Sequence, residues 1–138
     1  DSRISFFGCV PEEKLRELSR QAWVMVNPRP SDVPGNENNF PSKLLEYLSY
    51  GKPVVSTITP GISPDYLDVV IPVAECKSES LAQVIGSALR ATVVDRARAC
   101  QRTCGFLQSK KTWQIQGRRL AEWLATKIAV ASPVGRST

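Results

Sequence analysis

Residues 38–57 read NNFPSKLLEYLSYGKPVVST, and they decide the fold because they combine a loop, a helix, a tight turn and a buried strand. Leucines at helical spacing predict a helix from about Pro41 to Tyr50, and Gly51 suits its C-terminal cap. The following residues 54–57 form a β-branched run that is typical of a buried strand. A helix that leads directly into a buried strand is typical of an α/β protein.

The start of this helix suggests a ligand. Phe40 to Lys43 place a proline and a serine where backbone N–H groups have no intrahelical acceptor, and such a helix end attracts phosphate. Glu46 follows about one turn later, so its carboxylate is placed to accept hydrogen bonds from hydroxyls of a ligand whose phosphates lie at the helix start. A nucleotide sugar has both groups.

The rest of the chain alternates strands with helices. We predict strands at 4–7, 24–26, 54–57 and 69–73, and helices from Pro11 to Ala22, at 80–91, at 94–104 with Gly105 as terminator, and at 111–129. A single helical turn is expected at 65–67. This order predicts an α/β, Rossmann-like fold: a parallel sheet of about four strands with flanking helices and a helical C-terminal segment.

A long loop at 27–39 connects the second strand to the phosphate-attracting helix. It is dense in proline, glycine and asparagine, and loops of this length within compact domains are often functional. Arg29 stands there between two prolines, and a contact to a phosphate or to the acceptor and a solvated loop side chain all remain open for it. Ligands of such sheets bind beyond the carboxyl ends of the strands, where this loop and the loop after residue 57 lie.

Composition limits the class of protein. The 138 residues, 42% of them hydrophobic and 22% charged, are enough for one globular domain with a core. The sequence has no apolar run long enough to span a membrane and no signal-peptide pattern, so we expect a soluble intracellular chain. The formal charge of +5 favours an anionic partner, and the basic residues lack the interleaved aromatics of a nucleic-acid surface. With no His and four scattered cysteines, a zinc site is not expected, and we predict buried free thiols.

With these residues in place, the chain resembles the carboxy-terminal, donor-binding half of GT-B fold retaining glycosyltransferases of family four. The resemblance covers about residues 4–124. Its landmarks follow in order: the strand ending in FG at 7–8, AWVMVNP at 22–28, the F-x-x-x-x-x-E spacing at 40–46, and GKPVV at 51–55. The final helix with Trp113 also looks like the family's terminal segment, which runs back toward the partner domain.

The resemblance implies a role for each site residue. Glu46 matches the glutamate that binds the ribose hydroxyls, whereas Asn38 falls where the family has a second glutamate near the transferred sugar, so it lacks the charge expected of the catalytic position. The resemblance also implies a diphosphate site formed by Phe40, Pro41, Ser42, Lys43 and Leu44. It implies that Gly8 and Val10 lie near the nucleobase and that Gly61 lies near the sugar or diphosphate.

The implied function is a glycosyltransferase of polysaccharide biosynthesis. The resemblance implies a UDP- or GDP-linked donor, retaining hexosyl transfer to a glycan or lipid-linked acceptor, no cofactor and no metal. We expect residues 1–130 to be the donor-binding half, inactive without an N-terminal acceptor domain, and residues 131–138 to be a flexible tail. The expected location is the cytoplasm, with contact to the inner face of the membrane left open. The alternative is a non-catalytic Rossmann-like nucleotide-binding or scaffold module.

Overall fold

The computed structural model describes residues 1–30, 33–36 and 39–131. The expected tail at 131–138 therefore lies almost wholly outside the described residues. Within them the chain forms five α-helices, one 3₁₀ helix and three strands. In chain order these are α1 (Glu12–Gln21), β1 (Met25–Asn27), α2 (Ser42–Ser49), β2 (Val54–Thr57), the 3₁₀ helix (Pro64–Tyr66), β3 (Ile71–Val73), α3 (Ser78–Leu89), α4 (Val93–Lys110) and α5 (Trp113–Ala131).

The three strands form one parallel sheet in the order β1-β2-β3. Met25 pairs with Val54 and Val55 pairs with Ile71, so β2 is the central strand. All four residues of β2 are buried. A parallel strand that is covered on both faces must be apolar or internally hydrogen-bonded along its whole length, which the sequence VVST satisfies. The predicted α/β, Rossmann-like class is confirmed.

Two helices cover the sheet and form the core. α2 contacts β1 and β2, and it places Leu44 and Leu48 in fully buried positions because the two side chains are four residues apart on one helix face. α3 contacts β2 and β3, and there Val55, Val73 and Ala88 form a buried cluster. The helix that carries the candidate ligand-binding start is therefore anchored by its apolar face.

The predicted strand at 4–7 is wrong, and the described sheet has three strands, not about four. Ile4 and Phe7 are exposed, and the Phe6 side chain is 95% exposed. A strand persists only where a neighbouring strand accepts its backbone hydrogen bonds, and among the described residues the sheet pairs only β1, β2 and β3. Strand propensity alone was not sufficient here.

Two glycines predicted to end helices behave differently. Gly51 ends α2 in the left-handed region, with φ of +63°, and its N–H donates to the Leu48 carbonyl at 3.0 Å, as predicted. Gly105 does not end α4, which continues to Lys110, and that prediction is wrong. Gly105 is not among the glycines with positive φ, so it lies in the helix interior at a cost of about 1 kcal/mol relative to Ala.

The chain divides into two compact units, Asp1–Cys104 and the part from Gly105 onward. In the second unit, α5 carries large apolar side chains at helical spacing, and these are exposed: Trp113, Leu120, Trp123, Leu124 and Ile128. Among the described residues, no helix is both long enough and apolar enough to cross a bilayer. The four cysteines are free thiols as predicted, but Cys9 and Cys104 are exposed, contrary to the expected burial.

Candidate functional site

Buried polar side chains mark the carboxyl ends of β1 and β2. Asn27 ends β1, and its Nδ2 donates to Ser56 Oγ on β2 at 3.0 Å. Ser56 Oγ in turn donates to the Thr57 carbonyl at 2.9 Å. Both side chains are buried, and each buried polar group needs such a partner. The sheet therefore ends in a rigid polar edge at the side where ligands of parallel α/β folds bind.

The chain that leaves β1 is fastened to this edge through Arg29. The Arg29 N–H donates to Thr57 Oγ1 at 2.8 Å, and Thr57 Oγ1 donates to the Arg29 carbonyl at 2.5 Å. Pro28 and Pro30 flank Arg29, which restricts the backbone of this segment further. One buried threonine at the end of β2 thus fixes the backbone on both sides of the Arg29 side chain.

The segment before α2 meets the loop after β2 at the same edge. The Thr59 hydroxyl lies 3.5 Å from the Asn39 carbonyl oxygen, at the limit of a hydrogen bond. A Cβ at Gly61 would lie only 2.7 Å from the Asn39 carbonyl carbon, so the backbones approach at a distance that only glycine permits. Gly61, which the sequence placed near the sugar or diphosphate, is therefore part of the loop packed on the approach to α2.

The Asn39 side chain connects this segment to Arg29. The Asn39 amide satisfies both of its polar groups in one orientation. In that orientation Oδ1 accepts a hydrogen bond from Arg29 Nη1 at 2.7 Å, and Nδ2 donates to the Phe40 carbonyl at 3.2 Å. Phe40 is held in turn by Tyr66, whose ring centroid is 5.2 Å from its own. The two ends of the β1–α2 loop and the loop after β2 therefore meet beside the start of α2.

Helix α2 begins without a side-chain cap. Pro41 is the N-cap residue and is fully buried. The Leu44 N–H donates to the Pro41 carbonyl at 2.8 Å, so the amide of Leu44, a residue of the implied diphosphate site, is already used within the helix. The amides of Ser42 and Lys43 are the first two of the helix, and the side chains of both residues are exposed. These two amides are the positions left for an anionic group.

Lys43 and Glu46 pair with each other on the exposed face of α2. Lys43 Nζ lies 2.8 Å from Glu46 Oε2, and this hydrogen bond raises the pKa of Lys43 above its ordinary value. The pair is solvent-exposed, so it adds little to stability. It uses one oxygen of the carboxylate, and a carboxylate can accept about four hydrogen bonds, so Glu46 retains acceptor capacity.

The remaining residues named from the sequence are not joined to this edge by the described contacts. Gly8 adopts a left-handed turn with φ of +63°, and Val10 precedes α1 half-buried; their place beside a nucleobase stays a prediction. Asn38 lies outside the described residues. Within the described ranges, no group of three or more Cys, Asp or Glu side chains is arranged to hold a metal ion.

A cavity of about 180 Å³ lies at the other end of the sheet. Its wall includes Val54 and Ile71, the first residues of β2 and β3, together with Ala88 of α3. This cavity is at the amino ends of the strands, opposite the polar edge. Because ligands of open parallel sheets bind at the carboxyl ends, we place the candidate site at the α2 start and not in this cavity.

Asn39 and Thr57 are the site residues that sequence reasoning missed. Thr57 holds the Arg29 backbone from 28 residues away, and Asn39 holds the Arg29 side chain from the other end of the same loop. The sequence contains two signals for this contact: Thr57 is a hydroxyl residue at the end of a buried strand, and its partner Arg29 lies between two prolines. Neither signal specifies the partner.

The parallel sheet and its flanking helices define an α/β domain of the Rossmann-like class. A profile of the family described as glycosyl transferases group 1 matches residues 1–91, about two thirds of the chain. The chain belongs to this family, which makes it a glycosyltransferase domain that works with a sugar donor and an acceptor. No curated protein and no solved structure matched the chain significantly.

Proposed function

We propose that this chain is the donor-binding part of a GT-B, retaining glycosyltransferase that uses a UDP- or GDP-linked hexose. The acceptor in this proposal is a glycan or a lipid-linked saccharide. The observation that carries it is the meeting of the β1–α2 loop and the loop after β2 at the start of α2, inside the segment that matches the glycosyltransferase family. No metal and no further cofactor form part of the proposal.

The donor diphosphate is assigned to the first turn of α2. The Ser42 and Lys43 amides point out of the helix start, where the aligned peptide dipoles favour negative charge. The Lys43 ammonium adds a full charge on the same turn. Buried Pro41 and half-buried Phe40 shape the approach and hold the turn in place.

The ribose is assigned to Glu46. Glu46 lies four positions after Ser42, which corresponds to about 6 Å along the helix axis and places both on one face. The carboxylate can keep Lys43 on Oε2 while it accepts ribose hydroxyls on its remaining lone pairs. The Lys43–Glu46 pair would thus link the subsites for ribose and diphosphate.

In this proposal, the protein catalyses transfer by stabilising the departing nucleoside diphosphate. Amides and cations that are already in position before the reaction lower the barrier because they need no reorganisation as negative charge develops. The retaining outcome follows when the acceptor hydroxyl attacks the face from which the diphosphate leaves. Asn38, Gly61, Gly8 and Val10 complete the proposed donor site around the sugar and the base.

Calorimetric titration tests donor binding by the 138-residue chain. We expect saturable binding of at least one of UDP and GDP and of the matching hexose conjugate, with free glucose and mannose as controls that do not bind. Failure of both nucleotides and of their hexose conjugates to bind would contradict the proposal.

Glu46→Ala tests the ribose contact. We expect it to weaken nucleotide binding by about 1.5 to 3 kcal/mol, because a charged acceptor of ribose hydrogen bonds is lost. The loss should be confined to ligands with ribose hydroxyls, so the 2′,3′-dideoxy nucleotide should bind the wild type and the variant equally. Glu13→Ala, an exposed glutamate of α1, is the matched control. Unchanged affinity in Glu46→Ala would remove this residue from the site.

A further inference from the structure

Arg29 is held more firmly than a solvated loop residue. Its N–H and its carbonyl both bond to the hydroxyl of Thr57, which is 1% exposed. The Arg29 N–H also lies 3.2 Å from the Asn27 carbonyl, which tightens the turn after β1. On the far side of Pro30, the Asn36 side chain donates to the Pro30 carbonyl at 2.9 Å. The direction in which the side chain leaves the backbone is therefore fixed.

The Arg29 guanidinium is oriented by a hydrogen bond to an uncharged side chain, Asn39. Nη1 donates to Asn39 Oδ1 at 2.7 Å, and this contact occupies one of the five N–H donors of the arginine. An amide oxygen orients the guanidinium without cancelling its charge. Among the described residues, no carboxylate lies within ion-pair distance of Arg29. The positive charge therefore remains uncompensated by that part of the chain.

The anchored charge lies close to the start of α2. Asn39 is three residues before Ser42, so their Cα atoms are at most about 11 Å apart. Asn39 is itself fixed by the close approach of Gly61 to its backbone, which leaves the Arg29 anchor little freedom to move. The Arg29 guanidinium is thus bonded to the segment that leads directly into the start of α2.

We propose that Arg29 is a diphosphate-binding residue of the donor site and that Asn39 positions it. This inference rests on the proposed donor-binding function and deepens it. The guanidinium presents parallel N–H donors that match two oxygens of a phosphate, whereas the α2 amides contact the diphosphate from the helix side. Arg29 binds the charge common to all nucleoside diphosphates and has no part in choosing the base.

Inorganic pyrophosphate is the probe that isolates this role, because it carries the recognised charge and no base or sugar. In calorimetric titrations of the 138-residue chain, Arg29→Gln should lower the affinity for pyrophosphate and for UDP or GDP about 10- to 100-fold. Arg29→Lys should recover only part of the loss, because lysine keeps the charge but lacks the fork. Asn39→Ala should show a smaller loss than Arg29→Gln, as expected of a positioning residue.

Controls separate binding from folding. Arg98→Gln removes an exposed arginine of α4, whose side chain is 67% exposed, and should leave all affinities unchanged. The backbone bonds of residue 29 to Thr57 do not involve its side chain, so Arg29→Gln should keep the wild-type circular dichroism and unfolding midpoint.

The outcomes distinguish this inference from the proposed function. Equal binding of UDP or GDP by the wild type and by folded Arg29→Gln would overturn the role of Arg29 and leave the donor-binding proposal intact. Absence of any nucleoside diphosphate and pyrophosphate binding by the wild type would overturn both. A loss of affinity that is equal for pyrophosphate and nucleotide, and absent in Arg98→Gln, is the result that supports the inference.

Discussion

Two glycines show how a single hydrogen in place of a side chain shapes this domain. Gly51 combines a left-handed backbone with a close neighbour, since a Cβ there would lie 2.6 Å from Cys100 Sγ. Gly61 has no such backbone requirement, but a Cβ there would collide with the Asn39 backbone. The first glycine ends the helix of the candidate site, and the second permits the contact that holds its approach loop.

Gly51→Ala should therefore destabilise the protein for two separable reasons. The left-handed conformation costs an alanine about 1 to 2 kcal/mol, and the contact with the Cys100 sulfur adds a steric term. Urea unfolding should show a smaller loss for Gly51→Ala when Cys100→Ala is also present, because only the conformational term remains.

The matched control is Gly105→Ala. That glycine lies inside α4 with nothing within 4 Å of a new Cβ, so the same substitution should stabilise the protein by up to about 1 kcal/mol. Identical effects of Gly51→Ala in the presence and absence of the Cys100 sulfur would show that the contact is unimportant.

At the scale of elements, α4 begins with a reciprocal cap that α2 lacks. The Asp95 N–H lies 3.2 Å from Thr92 Oγ1, while the Thr92 hydroxyl and N–H donate to Asp95 Oδ2 at 2.7 and 3.3 Å. This arrangement satisfies backbone donors at the helix start. In contrast, α1, α2 and α3 begin without a side-chain cap.

The cap of α4 predicts a pH dependence. The Thr92 hydroxyl, and then its N–H, hold the pKa of Asp95 below its ordinary value. A carboxyl whose pKa is lower in the folded state stabilises that state above the unfolded pKa, and this contribution is lost as the pH falls through the folded pKa. Asp95→Asn should therefore lower the unfolding midpoint at pH 7, and the difference from wild type should shrink toward pH 2.

Thr92→Ala removes the same cap from the other side and should cost about 0.5 to 2 kcal/mol at pH 7. Thermal unfolding followed by circular dichroism at several pH values measures both variants. A difference between Asp95→Asn and wild type that stays constant down to pH 2 would contradict the assigned cause.

For the whole molecule, the notable property is the exposure of large apolar side chains outside the sheet and its two covering helices. Trp23, Trp113 and Trp123 are 64%, 89% and 55% exposed, and Phe6 is almost fully exposed. The buried apolar cluster lies instead on the strands and α3. The stability of the first unit therefore rests on a small core around β2.

Tryptophan fluorescence tests this distribution directly. Because all three tryptophans are exposed, the native emission should resemble that of the urea-unfolded chain, and acrylamide should quench both states to a similar extent. Light scattering at the same concentration gives the control for self-association, which would cover exposed side chains. A blue-shifted and protected emission from a chain shown to be monomeric would contradict the exposure described here.

Local chemistry was sufficient to predict the elements that surround the candidate site. The leucine spacing placed a helix at about 41–50, and the structure has it at Ser42–Ser49. The left-handed cap at Gly51 and the buried strand at 54–57 also follow from short-range preferences, since turn geometry and β-branched runs act within a few residues. The ion pair of Lys43 with Glu46 also follows from helical spacing, because residues three positions apart are neighbours on a helix. From the sequence we predicted only their contacts with a ligand.

The sequence by itself thus determined the α/β class and the position of α2 along the chain. Only the tertiary structure decided that residues 4–7 form no strand, that Gly105 does not interrupt α4, and that Arg29 and Asn39 meet at the carboxyl edge. The physical reason is that local preference does not specify tertiary contacts. A strand at 4–7 would need a neighbouring strand, α4 has buried side chains on both sides of Gly105 at Thr103 and Phe106, and the Arg29 backbone is held by Thr57 from 28 residues away.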